Sequence, residues 1–346
     1  MSQKTYCAGI IGLGFIGGAD QVSGDALGQQ VGHLDGTHVG ALSNHPRVDL
    51  IAGSSRDPGR RERFTQRTGV RTYADWKEML AREAFDIVSV ATYAPVHAEI
   101  TVACAERGIR AIYCEKPIAT LVSDAERMVA ACDNAGAILA INHNRRFNPT
   151  MRRLRDHIAS GGLGDLTSAS LQWGSGRLGN VGTHMIDTVR MLTGREVRAV
   201  SGSLDLAGRP DCRGPQFRDP GGWGMVRLDG GLIVTVDAAD YARVPGQLTL
   251  NGTEGRAVVG SDVTLEYWDG RQEHWPEPDD GISSMDRAVE DIVAWLDNGA
   301  PFLYPGVEAA RTFEAIVAFH ASHARSAAWT DLPLSGADRE IEVLSG

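Results

Sequence analysis

The sequence predicts an α/β protein, with a doubly wound parallel sheet followed by a second α/β domain on a large, mainly antiparallel sheet. Three observations predict it. Apolar runs alternate with helical patterns through residues 5–147, a glycine-rich turn follows the first run, and short alternating segments begin near Leu166. At ~150 residues per domain, 346 residues suffice for two domains. We place these domains at residues 1–142 and 143–346.

The parallel sheet is indicated by apolar runs without polar alternation, which are typical of strands buried on both faces. A short additional strand is expected near residues 70–72. Between the runs, Ser123 and Glu126 form a capping box that opens a helix, and Gly136 ends it. A helix is also expected over residues 97–108. The five apolar runs are residues 8–11, 48–52, 86–91, 111–114 and 138–141.

The second sheet is indicated by alternating segments such as residues 232–236 and 247–250, with Asp-Gly and Asn-Gly turns between them. Two helices follow. The first carries one apolar stripe at helical spacing and ends at Gly299, and the second covers roughly residues 306–327. The stripe consists of Met285, Ala288, Val289, Ile292, Val293 and Leu296.

The glycine-rich turn has the pattern of a dinucleotide-binding loop. The first glycine of such a loop permits the tight turn, the second lets the backbone approach a pyrophosphate, and the third lets helix and strand pack closely. Backbone N–H groups at the helix start then face the anion. The predicted cofactor-binding residues here are Gly12, Gly14, Phe15, Ile16 and Gly17.

A polar segment of about residues 18–36 follows the loop and carries five glycines. We interpret it as an inserted loop near the cofactor. It contains His33 and Asp35, with His38 just beyond it. Scattered histidines in a polar loop are rarely metal ligands, so we predict no metal site.

The end of the second strand bears on the choice of cofactor. NAD-binding sites usually place an Asp or Glu there for the ribose hydroxyls, whereas an arginine can pair with the 2′-phosphate of NADP. We place this position at Ser55, with Arg56 beside it, and so predict NADP, with NAD as the alternative. In that alternative, Arg56 is a solvated surface residue and Asp57 binds the ribose.

Further motifs carry a family resemblance. Glu115-Lys116-Pro117 follows a strand, and Asn180 and His184 lie in the segment Gly-Asn-Val-Gly-Thr-His-Met-Ile-Asp of the second domain. Residues 91–97 and the run Asn-Arg-Arg-Phe-Asn-Pro at 144–149 add to the pattern. Over nearly its whole length, the chain resembles the Gfo/Idh/MocA oxidoreductases.

The resemblance implies a Rossmann domain, and then a domain whose open-faced sheet mediates oligomers, which we expect to be homodimers or homotetramers. It implies a nicotinamide cofactor and a sugar, polyol or cyclitol substrate. Lys116 and His184 match the family's catalytic residues, and Asn180 stands where many members carry an aspartate. Further predicted cofactor contacts are Thr92, His97, Glu115 and Lys116. Predicted substrate contacts are Lys116, Asn144, Arg145, Trp173, Asn180 and His184.

The chemistry fits these residue types. Oxidising a secondary alcohol requires a base and stabilisation of the developing alkoxide. Imidazole titrates near neutral pH, which suits His184 as the base, and Lys116 can donate a hydrogen bond to the reacting oxygen. Asn180 lies four residues before His184 and can orient it without adding charge, so we expect a less basic His184 than aspartate would give. Asp187 is expected to be structural. Trp173 could stack on a sugar or equally fill the core.

Composition excludes several classes. The net charge of −10 argues against nucleic-acid binding, and no apolar run reaches the ~18 residues of a membrane span. Five cysteines without a CxxC pair suggest reduced thiols and a cytoplasmic protein. Because the chain has only three lysines, Lys4, Lys77 and Lys116, a lysine in the most suggestive motif is informative.

Two alternatives to a dehydrogenase or reductase stay open. One is a glycosidase that uses transient oxidation by a bound nicotinamide. The other is a non-catalytic nicotinamide-sensing regulator, and the presence of both Lys116 and His184 counts against it.

Overall fold

The computed structural model describes residues 4–22, 36–174, 176–206, 214, 216–239, 244–299 and 302–345. Most of the predicted inserted loop, including His33 and Asp35, lies outside these ranges. The described chain forms two compact units, drawn from Met1–Ala119, Asp124–Asn144 and Ile282–Val307 for the first and from Thr120–Ser123, Arg145–Gly281 and Glu308–Gly346 for the second. The expected division after residue 142 makes each domain one continuous segment. In the structure, residues 282–307 instead lie with the first unit.

The first unit contains a six-stranded parallel sheet in the order β3-β2-β1-β4-β5-β6, as expected for a doubly wound nucleotide-binding fold. Strands β4, β5 and β6 are buried along their whole length, which explains their near-continuous apolar sequence. The strands are β1 (Tyr6–Ile11), β2 (Val48–Ser54), β3 (Arg71–Tyr73), β4 (Ile87–Val90), β5 (Ala111–Cys114) and β6 (Ile138–Ile141).

Helices connect these strands. The helix after β1 is only one turn long and ends at Ala19, which adopts a left-handed conformation. A second helix begins at His38, capped by Thr37. The predicted capping box at Ser123 is wrong by a small margin, because α6 already begins at Val122 and Ser123 lies inside it. The helices of this unit are α1 (Phe15–Gly18), α2 (His38–Asn44), α3 (Pro58–Thr68), α4 (Trp76–Arg82), α5 (His97–Glu106), most of α6 (Val122–Ala135), and α9 (Ser284–Asn298).

The second unit contains a nine-stranded sheet in the order β14-β13-β12-β11-β7-β10-β9-β8-β15. All described strand pairs in it are antiparallel except β7 with β10. Buried and less buried residues alternate along β10 to β13, which is the pattern of a sheet covered on one face. The strands are β7 (Leu166–Gln172), β8 (Val197–Leu204), β9 (Gly222–Leu228), β10 (Ile233–Ala238), β11 (Gln247–Gly252), β12 (Gly255–Val259), β13 (Val263–Tyr267), β14 (Gln272–Trp275) and β15 (Thr330–Asp331).

Three further helices complete the chain: α7 (Pro149–Ala159), α8 (Thr183–Thr193) and α10 (Gly306–Ala324). The predicted apolar stripe of α9 is buried in all six positions, and Gly299 ends that helix in a left-handed conformation. Within the described ranges, no helix is both long and apolar enough to cross a membrane. The same residues contain no cluster of three or more His, Cys, Asp or Glu side chains that could hold a metal ion.

Candidate functional site

The glycine loop lies at the carboxyl end of β1 and has the geometry that its sequence predicts. Gly12 has a φ of +103°, and a Cβ atom there would lie 2.3 Å from the carbonyl oxygen of Ala91. A Cβ atom on Gly17 would lie 2.0 Å from the carbonyl oxygen of Gly12. Gly14 precedes α1 in an extended conformation, and no side chain caps the helix. The loop therefore leaves its backbone open to an anion at the start of α1.

The end of β2 carries hydroxyl and guanidinium groups. Ser55 is half-buried and Arg56 is exposed. The Arg61 side chain donates to the carbonyl oxygens of Ser55 and Arg56, at 2.6 and 3.0 Å. The Asp57 carboxylate caps α3 by accepting from the backbone N–H of Arg60, an interaction that lowers the pKa of Asp57. Asp57 is thus already engaged in a helix cap.

His97 is completely buried, with its ring nitrogens 3.0 Å from the carbonyl oxygen of Pro117 and 2.9 Å from that of Thr92. Burial lowers the pKa of His97, which favours the neutral ring. The imidazole holds together the segments that follow β4 and β5. Because its side chain has no exposed surface, any role of His97 toward a cofactor must act through Thr92 and Pro117.

A buried polar network lies beside Lys116. The Glu115 carboxylate is 3.1 Å from Nε2 of His38 and 2.6 Å from Nδ2 of Asn142. Its other oxygen accepts from the backbone N–H of Lys116 at 3.3 Å. Burial alone would raise the pKa of Glu115, but His38, Lys116 and Asn142 together lower it to about 2. Glu115 is therefore ionised, and the peptide bond between Lys116 and Pro117 is cis.

In the second unit, Asn180 and His184 lie on continuous helical backbone. A π-helical segment, Leu178–Gly182, leads directly into α8. Asn180 is buried and His184 is half-buried. Residues four apart share one face only where the backbone between them is helical, and the backbone from Asn180 to His184 is helical. Short π segments are frequent at functional sites.

Asp219 anchors this π segment. Its carboxylate accepts backbone N–H bonds from Gly179 at 2.6 Å and from Asn180 at 2.7 Å. It also accepts a bond from the Ser345 hydroxyl at 2.8 Å, and Ser345 is completely buried. A carboxylate at the start of a helix satisfies backbone N–H groups that otherwise lack partners. Asp219 and Ser345 thus fix the backbone at Asn180.

The two adjacent arginines have different surroundings. Arg146 is buried in a bidentate ion pair with Asp187, whereas Arg145 is half-buried. Burial lowers the pKa of Arg145, while the Asp187 and Glu277 carboxylates act against that change. Of the pair, Arg145 is therefore the less buried. Asp187 also accepts a bond from Thr312, which fits the structural role expected for it.

Two other predicted substrate contacts differ in exposure. Asn144 is exposed. The Trp173 ring is only 2% exposed, and its indole N–H donates to the carbonyl oxygen of Gly176 at 2.6 Å. Of the two roles left open for Trp173, the structure supports core packing and not stacking on a sugar, since a ring enclosed in the core presents no face to a ligand.

Sequence reasoning missed His38, Asn142 and Asp219. His38 was assigned to the surroundings of a polar loop, although the Thr37 cap and the apolar residues after it signal a helix. Asn142 directly follows β6, at the edge where parallel strands present binding residues. Asp219 lies nearly forty residues from the helix that it caps, and no local pattern indicates such a partner.

Comparison with known proteins agrees with this geometry. Residues 7–143 match the Gfo/Idh/MocA oxidoreductase family with an NAD-binding Rossmann fold, and residues 167–258 match the Gfo/Idh/MocA C-terminal domain. D-apiose dehydrogenase from Paraburkholderia graminis is 33% identical over 134 residues, which is 38% of this chain and only 36% of that protein. Levoglucosan dehydrogenase from Pseudarthrobacter phenanthrenivorans is 27% identical over 291 residues, which is 72% of each chain.

Solved structures share the fold. A levoglucosan dehydrogenase in complex with NADH and levoglucosan superposes with a TM-score of 0.78 at 23% identity, covering 95% of this chain and all of the other. The matches to both family models agree with the fold, which contains the six-stranded parallel sheet, the glycine loop and the Glu-Lys-Pro turn. The chain is a member of the Gfo/Idh/MocA oxidoreductase family.

Proposed function

We propose that the protein transfers a hydride between a nicotinamide dinucleotide and a secondary alcohol or ketone of a sugar, sugar derivative or cyclitol. The observation that carries this proposal is the position of Lys116. It follows β5 at the carboxyl edge of the parallel sheet, the edge that also holds the glycine loop, and it adjoins the buried, ionised Glu115. Ligands of open α/β sheets bind at this edge.

The residues present fit a dinucleotide. Side chains at Gly12 or Gly17 would collide with the backbone of Ala91 or of Gly12, so these two glycines permit the tight turn and close helix–strand packing of a dinucleotide-binding loop. Among the described residues, the hydroxyl of Thr92 is buried without a hydrogen-bond partner at the end of β4. A buried polar group of this kind usually meets a water molecule or a ligand. Thr92 would therefore contact the cofactor, with Ser55 and Arg56 at its ribose.

Lys116 and His184 would divide the proton chemistry. A bound nicotinamide supplies the hydride acceptor. His184 would remove the hydroxyl proton during oxidation, and Asn180 would orient the imidazole. The Lys116 ammonium would donate a hydrogen bond to the reacting oxygen and stabilise negative charge as it develops there. Arg145 and Asn144 would bind other hydroxyl groups of the substrate.

NADP is the favoured cofactor. An acidic side chain at the end of β2 would repel a 2′-phosphate, but Ser55 occupies that position and Arg56 is exposed beside it. The nearby Asp57 carboxylate is used as a helix cap. NAD is the alternative, since the levoglucosan dehydrogenase structure contains NADH.

The protein would act as a homodimer or homotetramer. On β9, Trp223 and Met225 are 45% and 40% exposed, which is unusual for large apolar side chains. Light scattering measures the assembly state. A monomer at micromolar concentration would refute this part of the proposal.

The function is tested with NAD and NADP in turn, against a panel of sugars, sugar acids and inositols, by absorbance of the reduced nicotinamide. Steady accumulation with at least one substrate is the expected result. Glycoside hydrolysis without accumulation would instead indicate transient oxidation. Nucleotide binding without turnover across the panel would refute the assignment as a sugar dehydrogenase.

A further inference from the structure

The network beside Lys116 consists of four buried polar side chains joined by hydrogen bonds. His38 and Ser89 have no exposed surface, and Glu115 and Asn142 are each 6% exposed. They come from α2, β4, the end of β5 and the end of β6, so one hydrogen-bonded network joins four elements. An ionised carboxylate is costly to bury unless donors compensate it.

The protons in this network can be assigned. Because Glu115 is ionised, it only accepts, so Nε2 of His38, at 3.1 Å, carries the proton. Nδ1 of His38 lies 3.0 Å from the Ser89 hydroxyl. Asn142 donates its amide to Glu115, and its carbonyl oxygen accepts from the Tyr113 hydroxyl at 2.7 Å. The carboxylate is thus fixed in one orientation.

We propose that Glu115, held by His38 and Asn142, is a positioning residue that fixes the backbone at Lys116 and keeps the Lys116 ammonium charged. The inference rests on the proposed role of Lys116. The Glu115 carboxylate adjoins Lys116 and accepts its backbone N–H at 3.3 Å, and a fixed negative charge beside a lysine favours the charged ammonium. The negative charge of Glu115 is important for oxidation, because an oxidised nicotinamide is itself positive and disfavours a second cation nearby.

Other titratable groups also face Glu115. His38 lies on α2, Cys114 and Tyr113 lie on β5, and His97 lies on α5. Burial raises the pKa of both Cys114 and Tyr113, which keeps them neutral near pH 7, and burial lowers the pKa of His97. Asp286 on α9 acts on Tyr113. Cys114, Tyr113 and His97 therefore add no charge beside Glu115 near neutral pH.

Because the chain has only three lysines, the titration midpoint of Lys116 can be measured directly. In protein labelled with ¹³C at lysine Cε, the side-chain signals are few, and Lys116→Arg identifies the one of interest. Lys4 and Lys77, whose side chains are 59% and 61% exposed, are internal references. We expect Glu115→Gln to lower the titration midpoint of Lys116 by at least about half a pH unit. An unchanged Lys116 midpoint in folded Glu115→Gln would overturn the inference.

Tyr113→Phe is the matched control. It removes a buried hydrogen bond from the same network but leaves both the Glu115 charge and its donors in place. We expect it to keep the wild-type Lys116 midpoint. An equal decrease in Tyr113→Phe and Glu115→Gln would show a general loss of packing and would also overturn the inference.

A second pair of variants covers the case in which Glu115→Gln does not fold. His38→Gln keeps an N–H donor near Glu115, whereas His38→Met removes it. We expect His38→Met to lose about tenfold in kcat with little change in the nucleotide KM, and His38→Gln to recover most of that loss. Wild-type kcat in His38→Met would contradict the inference. The lysine titration needs no substrate, so it separates failure of this inference from failure of the proposed function.

Discussion

Arg146 and Asp187 form a bidentate ion pair, with hydrogen bonds of 2.7 and 2.8 Å, and both side chains are at most 6% exposed. Asp187 lies on α8, one turn after His184. The pair therefore ties the segment that precedes α7 to the helix that carries the candidate base. Without Asp187, the buried Arg146 guanidinium would lose both of these short hydrogen bonds, while the Glu308 carboxylate would still lie 3.6 Å away.

We expect Asp187→Ala to lower the free energy of unfolding by about 3 kcal/mol, the lower end of the range for breaking a buried ion pair, because Glu308 still faces Arg146. Urea denaturation measures it. The control is Glu78→Ala, which breaks an exposed pair with Arg82 and should cost about 0.2–1 kcal/mol. Equal losses in the two variants would argue against a special role for the buried pair.

Asn180→Asp tests how the candidate base is tuned. An aspartate near His184 would stabilise the protonated imidazole, so the base would become available only at higher pH. The acidic limb of the pH–rate profile should therefore move upward by roughly half to one pH unit. Asn298→Asp adds the same charge at an exposed position and should leave the profile unchanged. An unmoved acidic limb in Asn180→Asp would contradict the proposed orienting role.

Ser55→Asp tests cofactor preference. A carboxylate there would repel the 2′-phosphate and bind the ribose hydroxyls, so the ratio of kcat/KM for NADP to that for NAD should fall at least about tenfold. Arg56→Ala should lower the same ratio by weakening phosphate binding alone. Arg82→Ala removes an exposed arginine from α4 and serves as control. If Ser55→Asp leaves the ratio at its original value, the assignment of this position is wrong.

The buried Glu115 should make the fold sensitive to acid. Its pKa is lowered from 4.5 to about 2 in the folded protein, so the folded state favours the ionised form. This contribution is present above about pH 4.5 and is lost as the pH falls toward about 2. The free energy of unfolding of Glu115→Gln should therefore vary less across that interval than that of the wild type. Parallel pH dependence in both proteins would be inconsistent with a buried, ionised Glu115.

Much of the fold could be predicted because local rules govern it. Near-continuous apolar runs identified five strands of the parallel sheet, and the apolar stripe identified α9, since these patterns reflect burial directly. Gly12 and Gly17 could be assigned because only glycine fits the close approaches found there. The association of α9 with the first unit could not be predicted, because a stripe shows that a face is buried but not what covers it.

The candidate site was predictable only in part. Lys116 and His184 occur in recognisable motifs, but the partners that hold their backbones come from distant segments. His38 reaches Glu115 across 77 residues of sequence, and Asp219 reaches Asn180 across 39. Trp173 shows that a local pattern can also suggest a ligand contact that the fold does not offer. An aromatic residue near a motif can serve the core as readily as a ligand.

The most direct test of the account is Lys116→Ala, assayed for turnover and for nucleotide binding on the same preparation. Lys77→Ala, which removes an exposed lysine paired with Glu99, is the matched control. Turnover should fall by at least about a hundredfold in Lys116→Ala, while nucleotide affinity stays within about threefold of the wild type and Lys77→Ala is fully active. Full turnover in Lys116→Ala would contradict the assignment of the site.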